Sequence, residues 1–403
     1  MKTVVVVSIL FVTSLHSQWL LQTSNSAEVL LGVSFPANDT GYIVGTSGLI
    51  LATTNGGSSW NSKPSGTTKF LRDVYFSSVE SGVAVGESGL IIRTTNKGTS
   101  WTPVSSGTTE HLVHVHFANR SIGMASGHIG TVLKTTDAGN SWKNTTTGVN
   151  VELTGIYVIN DTTACAIGFS GTIIRTTNGG ATWVPQTSTV INDLRSVWFT
   201  SANTGYVVGM GGKILKTTNG GSNWNALVSG SSNNLYAITF SNELNGAAVG
   251  NGIILRTTNA GTSWIPQSVS FTGDLYGVDF TDNVNGWSVG QQGKIFNTNS
   301  PVTGFNDLSN DNSITSFALH QNYPNPFNPS TTISYYIPFA SRVKLLLFDA
   351  LGRELAVLID QFQDKGAYHT TLSSNEYSLS GGVYFYKLIA GTFTDVKKVL
   401  LVK

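Results

Sequence analysis

The chain has 403 residues, room for two ordinary domains. Only 11% of them are charged, and 23 Lys and Arg against 22 Asp and Glu leave a formal net charge of +1. That balance excludes the basic surface a nucleic-acid partner demands and a polybasic membrane-binding segment, and a single cysteine excludes an internal disulfide framework or a structural zinc cluster.

In chain order, residues 1–17 read as a secretory signal peptide. Met1-Lys2 supplies a positive start, residues 4–12 an apolar run too short to span a bilayer, and Ser17 a small residue before a cut at Gln18. No later stretch holds 18 consecutive apolar residues, so the mature chain is expected to be soluble or surface-attached. Cys165, within Ala164-Cys165-Ala166-Ile167, is expected as a small core residue.

Residues 18–305 repeat. Thr53-Thr54-Asn55-Gly56-Gly57-Ser58-Ser59-Trp60 returns in copies ending at Trp101, Trp142, Trp183, Trp224 and Trp264, at spacings of 41, 41, 41, 41 and 40. An apolar signature, Leu71-x-x-Val74-x-Phe76, recurs in step from Leu30, Leu112, Leu153, Leu194, Leu235 and Leu275, which makes seven copies. Each unit divides into four short strands bounded by Gly and Asn, and Asn-Gly at 55–56, 178–179 and 219–220 suits turns of positive φ. A four-stranded unit of ~40–45 residues is a propeller blade. No unit carries an amphipathic run at 3.6 spacing, which excludes helical repeats. The expected fold is all-β, a seven-bladed β-propeller. Trp19 lies 41 residues before Trp60 and is expected to open the outer strand of blade seven, with Phe305, 41 residues after Trp264, as the competing occupant.

The eight-residue segment resembles the Asp-box hairpin of bacterial neuraminidase repeats. The third position is Asn55, Asn96, Asp137, Asn178, Asn219 and Asn259, and the last is Trp60, Trp101, Trp142, Trp183, Trp224 and Trp264. The acid or amide bonds its own turn and the Trp fills the gap between sheets, so the motif is expected to serve architecture rather than chemistry. The whole repeat is similar to the photosystem II stability and assembly factor type of propeller. That resemblance implies a non-enzymatic protein-binding scaffold.

Residues 306–316 form a polar linker, and the repeat is absent beyond it. Strands then alternate at Ile333, Tyr335 and Ile337, at Val343, Leu345 and Leu347, and at Leu355, Val357 and Ile359. Asp349-Ala350-Leu351-Gly352 reads as a hairpin turn, and about seven strands over residues 317–403 read as a small Ig-like β-sandwich. Its opening, Tyr323-Pro324-Asn325-Pro326-Phe327-Asn328-Pro329, resembles that of a type A sorting domain of type IX secretion. So do Gly352 in its turn, Gly382 and Tyr384 in Gly382-Val383-Tyr384-Phe385-Tyr386, and the ending Lys397-Lys398-Val399-Leu400-Leu401-Val402. The resemblance implies a Bacteroidota-type bacterium and delivery across the outer membrane by the type IX translocon acting on residues 317–403. The mature protein is then secreted or held at the cell surface.

The sequence shows no metal-ligand cluster, phosphate loop or nucleophile elbow, so neither metal nor cofactor is expected. The propeller has six arginines, at 72, 93, 120, 175, 195 and 256; three share one repeat position with Lys134 and Lys216. Spread evenly round a ring, they do not converge on one carboxylate as sialidase chemistry requires. The repeated basic position is expected to pack along neighbouring blades, with a surface for an anionic partner as the alternative. Asp73 and Asp279 lie on first strands separated by blade one, too isolated in sequence to pair. First strands line the axis, and the residue before the Phe position reads Ser34, Tyr75, His116, Tyr157, Trp198, Thr239 and Asp279. With His114 two positions earlier, Tyr75, His116, Tyr157, Trp198 and Asp279 form either a binding ring for a peptide or sugar or plain inter-blade packing. The expected function is non-catalytic binding of a surface protein or glycan. The alternative is a carbohydrate-active propeller, a lectin or a sialidase-like glycosidase.

Overall fold

A computed structural model describes residues 19–298, 317–319, 322, 325–364, 366–377, 379–391 and 393–402. The signal peptide at 1–17, Phe305, the linker at 306–316 and Pro324 lie outside the described residues. The described chain falls into two compact units that divide at 304/305.

The first unit contains seven four-stranded antiparallel sheets, one per repeat. Their first strands are Leu30–Ser34, Leu71–Phe76, Leu112–Phe117, Leu153–Val158, Leu194–Phe199, Leu235–Phe240 and Leu275–Phe280. Each lies against the first strands of both neighbours, which closes a ring round an axis. In blade two the order continues outward through Gly82–Gly86, Ile91–Thr94 and Thr102–Val104. The second strands are buried along their whole length, as strands covered on both faces must be.

Blade seven is completed from the other end of the unit. Strand Leu20–Gln22 pairs with Ile295–Thr298, with Leu20 opposite Asn297 and Gln22 opposite Ile295. Trp19, 1% exposed, fills the Trp position of that blade. The closing strand removes what would otherwise be an open seam.

Between sheets the aromatic side chains follow one plan. Trp19, Trp60, Trp101, Trp142, Trp224 and Trp264 each meet the Phe that ends or directly follows their own blade's first strand edge-on, at 5.8–6.1 Å. In blade four the Phe is replaced by Val158, which packs in one cluster with Trp183. Aromatic side chains of second strands then stack on the next blade's Phe: Tyr42 on Phe76 at 3.8 Å and Tyr206 on Phe240 at 4.2 Å.

The Asn hairpins lock this arrangement. Asn55 Oδ1 accepts from Thr53 Oγ1–H and from the Ser59 backbone N–H, while Gly57 N–H donates to Thr53 Oγ1. The same bonds recur around Asn96, Asn178, Asn219 and Asn259, and around Asp137, which also accepts from Ser141 Oγ. The Ser141 hydroxyl bond is the main reason the Asp137 carboxyl sits below its usual range. The repeated basic side chains tie one blade to the next. Arg93, Lys134, Arg175 and Lys216 donate to the carbonyls of Ala138, Gly179, Gly220 and Ala260 at 2.8, 2.8, 2.6 and 2.8 Å. Arg256 is buried, 4.3 Å over the Phe280 ring and 6.0 Å over Trp19; burial pushes it down to about 9.

The second unit is a β-sandwich. One sheet holds Ala318–Leu319, Ser330–Ile337 and Gly366–Ser373. The other has the spatial order Glu354–Gln363, Ser341–Asp349, Gly382–Ala390, Phe393–Leu401. Ile333, Tyr335, Ile337, Val343, Leu345 and Leu347 are buried in the core between them, as their alternation predicts. Leu355 and Val357 depart from that pattern, at 45% and 46% exposed. The register of Glu354–Gln363 against Ser341–Asp349 skips Leu355 and Leu358, and these two bulges break the alternation.

The motif residues at the two ends of this unit meet. Phe327, 1% exposed, donates its N–H to Leu400 O and accepts from Val402 N–H. Asn325 accepts from Leu400 N–H and donates to Lys398 O. Pro326 lies between these two residues, exposed. Gly352 takes φ +78° in the hairpin after Asp349. Gly382 opens the third strand in order, Tyr384 donates its hydroxyl to Ser380 O, and Lys397 pairs with Asp395 at 3.0 Å.

Candidate functional site

At the axis of the propeller the first strands enclose a cavity of about 540 Å³. Tyr75, His114, His116, Tyr157, Trp198 and Asp279 all line it, so the structure brings together the residues the ring pattern singles out. Their roles differ.

First strands form the inner edge of each blade, so their outward backbone N–H groups need acceptors. Channel side chains supply them one blade along. Ser34 Oγ accepts from Phe76 N–H, Asp73 Oδ2 from Val115 N–H, His116 Nδ1 from Val158 N–H, and Ser196 Oγ from Ile238 N–H, each 42 residues away. Asp279 does the same across the closing seam: Oδ2 accepts from Phe35 N–H at 2.7 Å and Oδ1 from Phe280 N–H at 2.9 Å. At the blade four to five seam Thr154 Oγ1 donates instead, to Leu194 O.

His116 is therefore neutral and structural. It is 6% exposed, stacked on Tyr157 at 3.9 Å and tilted against Tyr75 at 4.9 Å. Burial, with the charge of His114 second, pushes it down to about 3. Burial raises both carboxylates. Asp279 is carried to about 7 despite its two backbone donors, with Asp73 adding a smaller repulsion; Asp73 is raised too, against the attraction of His114 and the Val115 and Val74 amides.

Four aromatic or basic groups remain turned to the cavity. Tyr157 and Trp198 meet at 5.4 Å, Tyr75 lies beside His116, and His114 Nε2 is 3.6 Å from Asp73 Oδ2. His114 Nδ1 is buried and has no hydrogen-bond partner among the described residues.

A second ring was not picked out from the sequence. In all seven blades the first strand slips register between its first and third residues, so the second residue is a bulge. A bulge re-aims its side chain. Arg72, Arg195, Tyr236 and Tyr276 occupy this position and line the cavity. Arg72 lies 3.8 Å from Glu87, and Arg195 lies 3.7 Å from Asp193 and 4.8 Å over the Phe169 ring. Both guanidinium Nε atoms are buried without a hydrogen-bond partner among the described residues. The signal was in the sequence: Leu-x-x-Val-x-Phe puts buried residues at an odd spacing, which a regular strand does not allow.

Among the described residues no group of three or more His, Cys, Asp or Glu is placed to hold a metal ion. Chemically the cavity offers the basic side chains of Arg72 and Arg195 beside an aromatic wall, while Asp73 and Asp279 are engaged by backbone amides and Glu152 pairs with His128 at 3.3 Å.

Comparison with known proteins agrees with this architecture. Residues 12–107 and 187–270 match the family model described as photosynthesis system II assembly factor YCF48, and residues 321–403 match that of the secretion system C-terminal sorting domain. The structure of YCF48 bound to a D1 peptide is 19% identical, with a TM-score of 0.60 over 70% of this chain and 95% of that one. YCF48 from Cyanidioschyzon merolae is 18% identical, with a TM-score of 0.59 over 70% and 98%. At these identities the likeness is one of fold. No curated protein matches the chain.

Proposed function

We propose that this is an exported, non-catalytic binding protein whose propeller takes an extended peptide segment of a partner protein into its axial cavity. The observation that carries the reading is one axial cavity lined by Arg72, Arg195 and His114 together with Tyr75, Tyr157 and Trp198. A peptide brings carboxylates and backbone carbonyls to meet the guanidinium groups of Arg72 and Arg195, and its apolar side chains suit Tyr75, Tyr157 and Trp198. A similarly folded structure holds a peptide, which is in keeping with the reading.

Export is part of the proposal. Residues 1–17 act as the signal peptide for the inner membrane, and 317–403 as the signal for the type IX translocon in a Bacteroidota-type bacterium. The match of 321–403 to a sorting domain supports this. The hairpins are read as Asp-box relatives kept for architecture.

A carbohydrate-active propeller is the second reading, and the aromatic wall favours it. Asp279, held near 7, lies in the range of a general acid, but its oxygens serve Phe35 and Phe280. Glycoside hydrolysis needs two free carboxylates.

The test uses the full chain on a synthetic peptide array and on a polysaccharide panel, with reducing ends assayed. Peptide capture that falls at least tenfold in R72Q/R195Q is the expected result. Release of reducing ends, or capture indifferent to both arginines, overturns the reading.

A further inference from the structure

The C-terminal sandwich guards its sheet edges unequally. The Phe393–Leu401 edge is covered over its last residues, where Asn325 and Phe327 bond Lys398 O, Leu400 N–H and O, and Val402 N–H, while Val396 before them is exposed. It also carries Lys397 and Lys398, the usual edge guards. The opposite edge, Glu354–Gln363, has no strand beyond it among the described residues. It contains neither Pro nor Lys nor Arg. Bulges at Leu355 and Leu358 leave 359–363 as a regular ladder of five residues, the length of an ordinary strand. Phe362 on that ladder is 69% exposed, and Leu355 and Val357, at and next to the bulges on the same strand, are exposed too. By contrast Gly366–Ser373, an edge of the other sheet, shows no exposed large apolar side chain among those described.

The charge of this edge is one-sided. Asp360 is answered within the sheet by Arg342 at 2.9 Å and Lys344 at 3.5 Å. Glu354 and Asp364, at the two ends, have no ion pair among the described residues. Unpaired backbone groups, flanking apolar side chains and terminal carboxylates together describe one kind of occupant.

We propose that the Glu354–Gln363 edge is a strand-addition site, filled by an extended segment of the secretion machinery that is apolar on alternate residues and cationic at its ends. The proposal rests on reading residues 321–403 as a sorting domain. The partner's strand would bond the free backbone of 359–363, its apolar residues would cover Phe362 and Val357, and its Lys or Arg would meet Glu354 and Asp364.

The test is export of the full chain from a host that carries the matching secretion system. V357K/F362K places Lys on exposed edge positions, so the purified variant should keep the parent's melting curve. Its exported fraction should fall at least tenfold. If the double variant melts earlier, F362K alone is judged by the same criterion. Amide exchange on chain bound to the purified machinery should show alternate amides of 359–363 newly protected. Wild-type export of a folded variant, or exchange unchanged from the free chain, overturns the proposal while the sorting reading stands. Wild-type export of a chain cut before residue 321 defeats the sorting reading, and the edge proposal falls with it.

Discussion

Trp19→Ala tests the closure of the ring. The side chain is 1% exposed, meets Phe280 edge-on at 5.9 Å and lies under the Arg256 guanidinium. Truncating a buried Trp costs about 3–5 kcal/mol, with about 0.5–1.5 of it from the ring–ring contact. For a domain of this size each kcal/mol moves Tm by about 2–4 °C, so calorimetry should record a fall of roughly 6–20 °C. Trp183→Ala is the internal comparison. Its ring meets Val158 rather than a Phe, so it should fall less. Removing residues 18–25 adds the loss of the ladder between Leu20–Gln22 and Ile295–Thr298 and should lower Tm further. Amide exchange should localise both effects, with 295–298 exchanging faster than the third strand of any other blade. A Tm within about 2 °C of the parent, or unchanged exchange at 295–298, would refute the reasoning.

His116→Ala removes the acceptor of the buried Val158 N–H and should lower stability by about 1–3 kcal/mol, more than His114→Ala; urea denaturation of both variants decides it. Asn178→Ala deletes the acceptor of the Thr182 N–H and the Thr176 hydroxyl. A loss of about 1–2 kcal/mol is expected by the same assay, and a neutral result would deny the hairpin its locking role. Asp279 has a folded-state pKa raised to about 7 from an ordinary 3.8. A raised carboxyl binds its proton more tightly in the folded state, so its contribution is greatest below about pH 4 and is lost as pH rises towards 7. Relative to the parent, Asp279→Asn should gain stability steadily between pH 4 and 7 and level off above. A pH-independent difference between the two would contradict the buried carboxylate.

The propeller was legible because its signals are periodic. Trp at steps of 41 or 40 residues and Leu-x-x-Val-x-Phe in step reveal the blade count, and Trp19 one period ahead of Trp60 points to the closing strand, with Phe305 as its competitor in the sequence. The channel was only half legible. Sequence places His116 and Asp279 on the axis, but their acceptor duty depends on an amide one blade away, and only the inter-sheet register brings the two together. Arg72, Arg195, Tyr236 and Tyr276 were hidden by treating the first strand as regular, although the odd spacing from Leu to Val marks the bulge. Leu355 and Val357 mislead for a related reason: alternation shows that two residues share a face, while bulges and an edge position decide whether anything covers it.

The closing strand also fixes an order of events. Leu20–Gln22 reaches its partner only across a gap of roughly 275 residues. Bringing such distant segments together from an open chain carries a length-dependent entropy of about 5 kcal/mol, from (3/2)RT ln n. Blades one to six shorten that search when they form first, since each is made of consecutive residues. Ring completion is then the last step, and it waits for the final blade to be made. Until that moment the chain is a row of open sheets without a closed circumference.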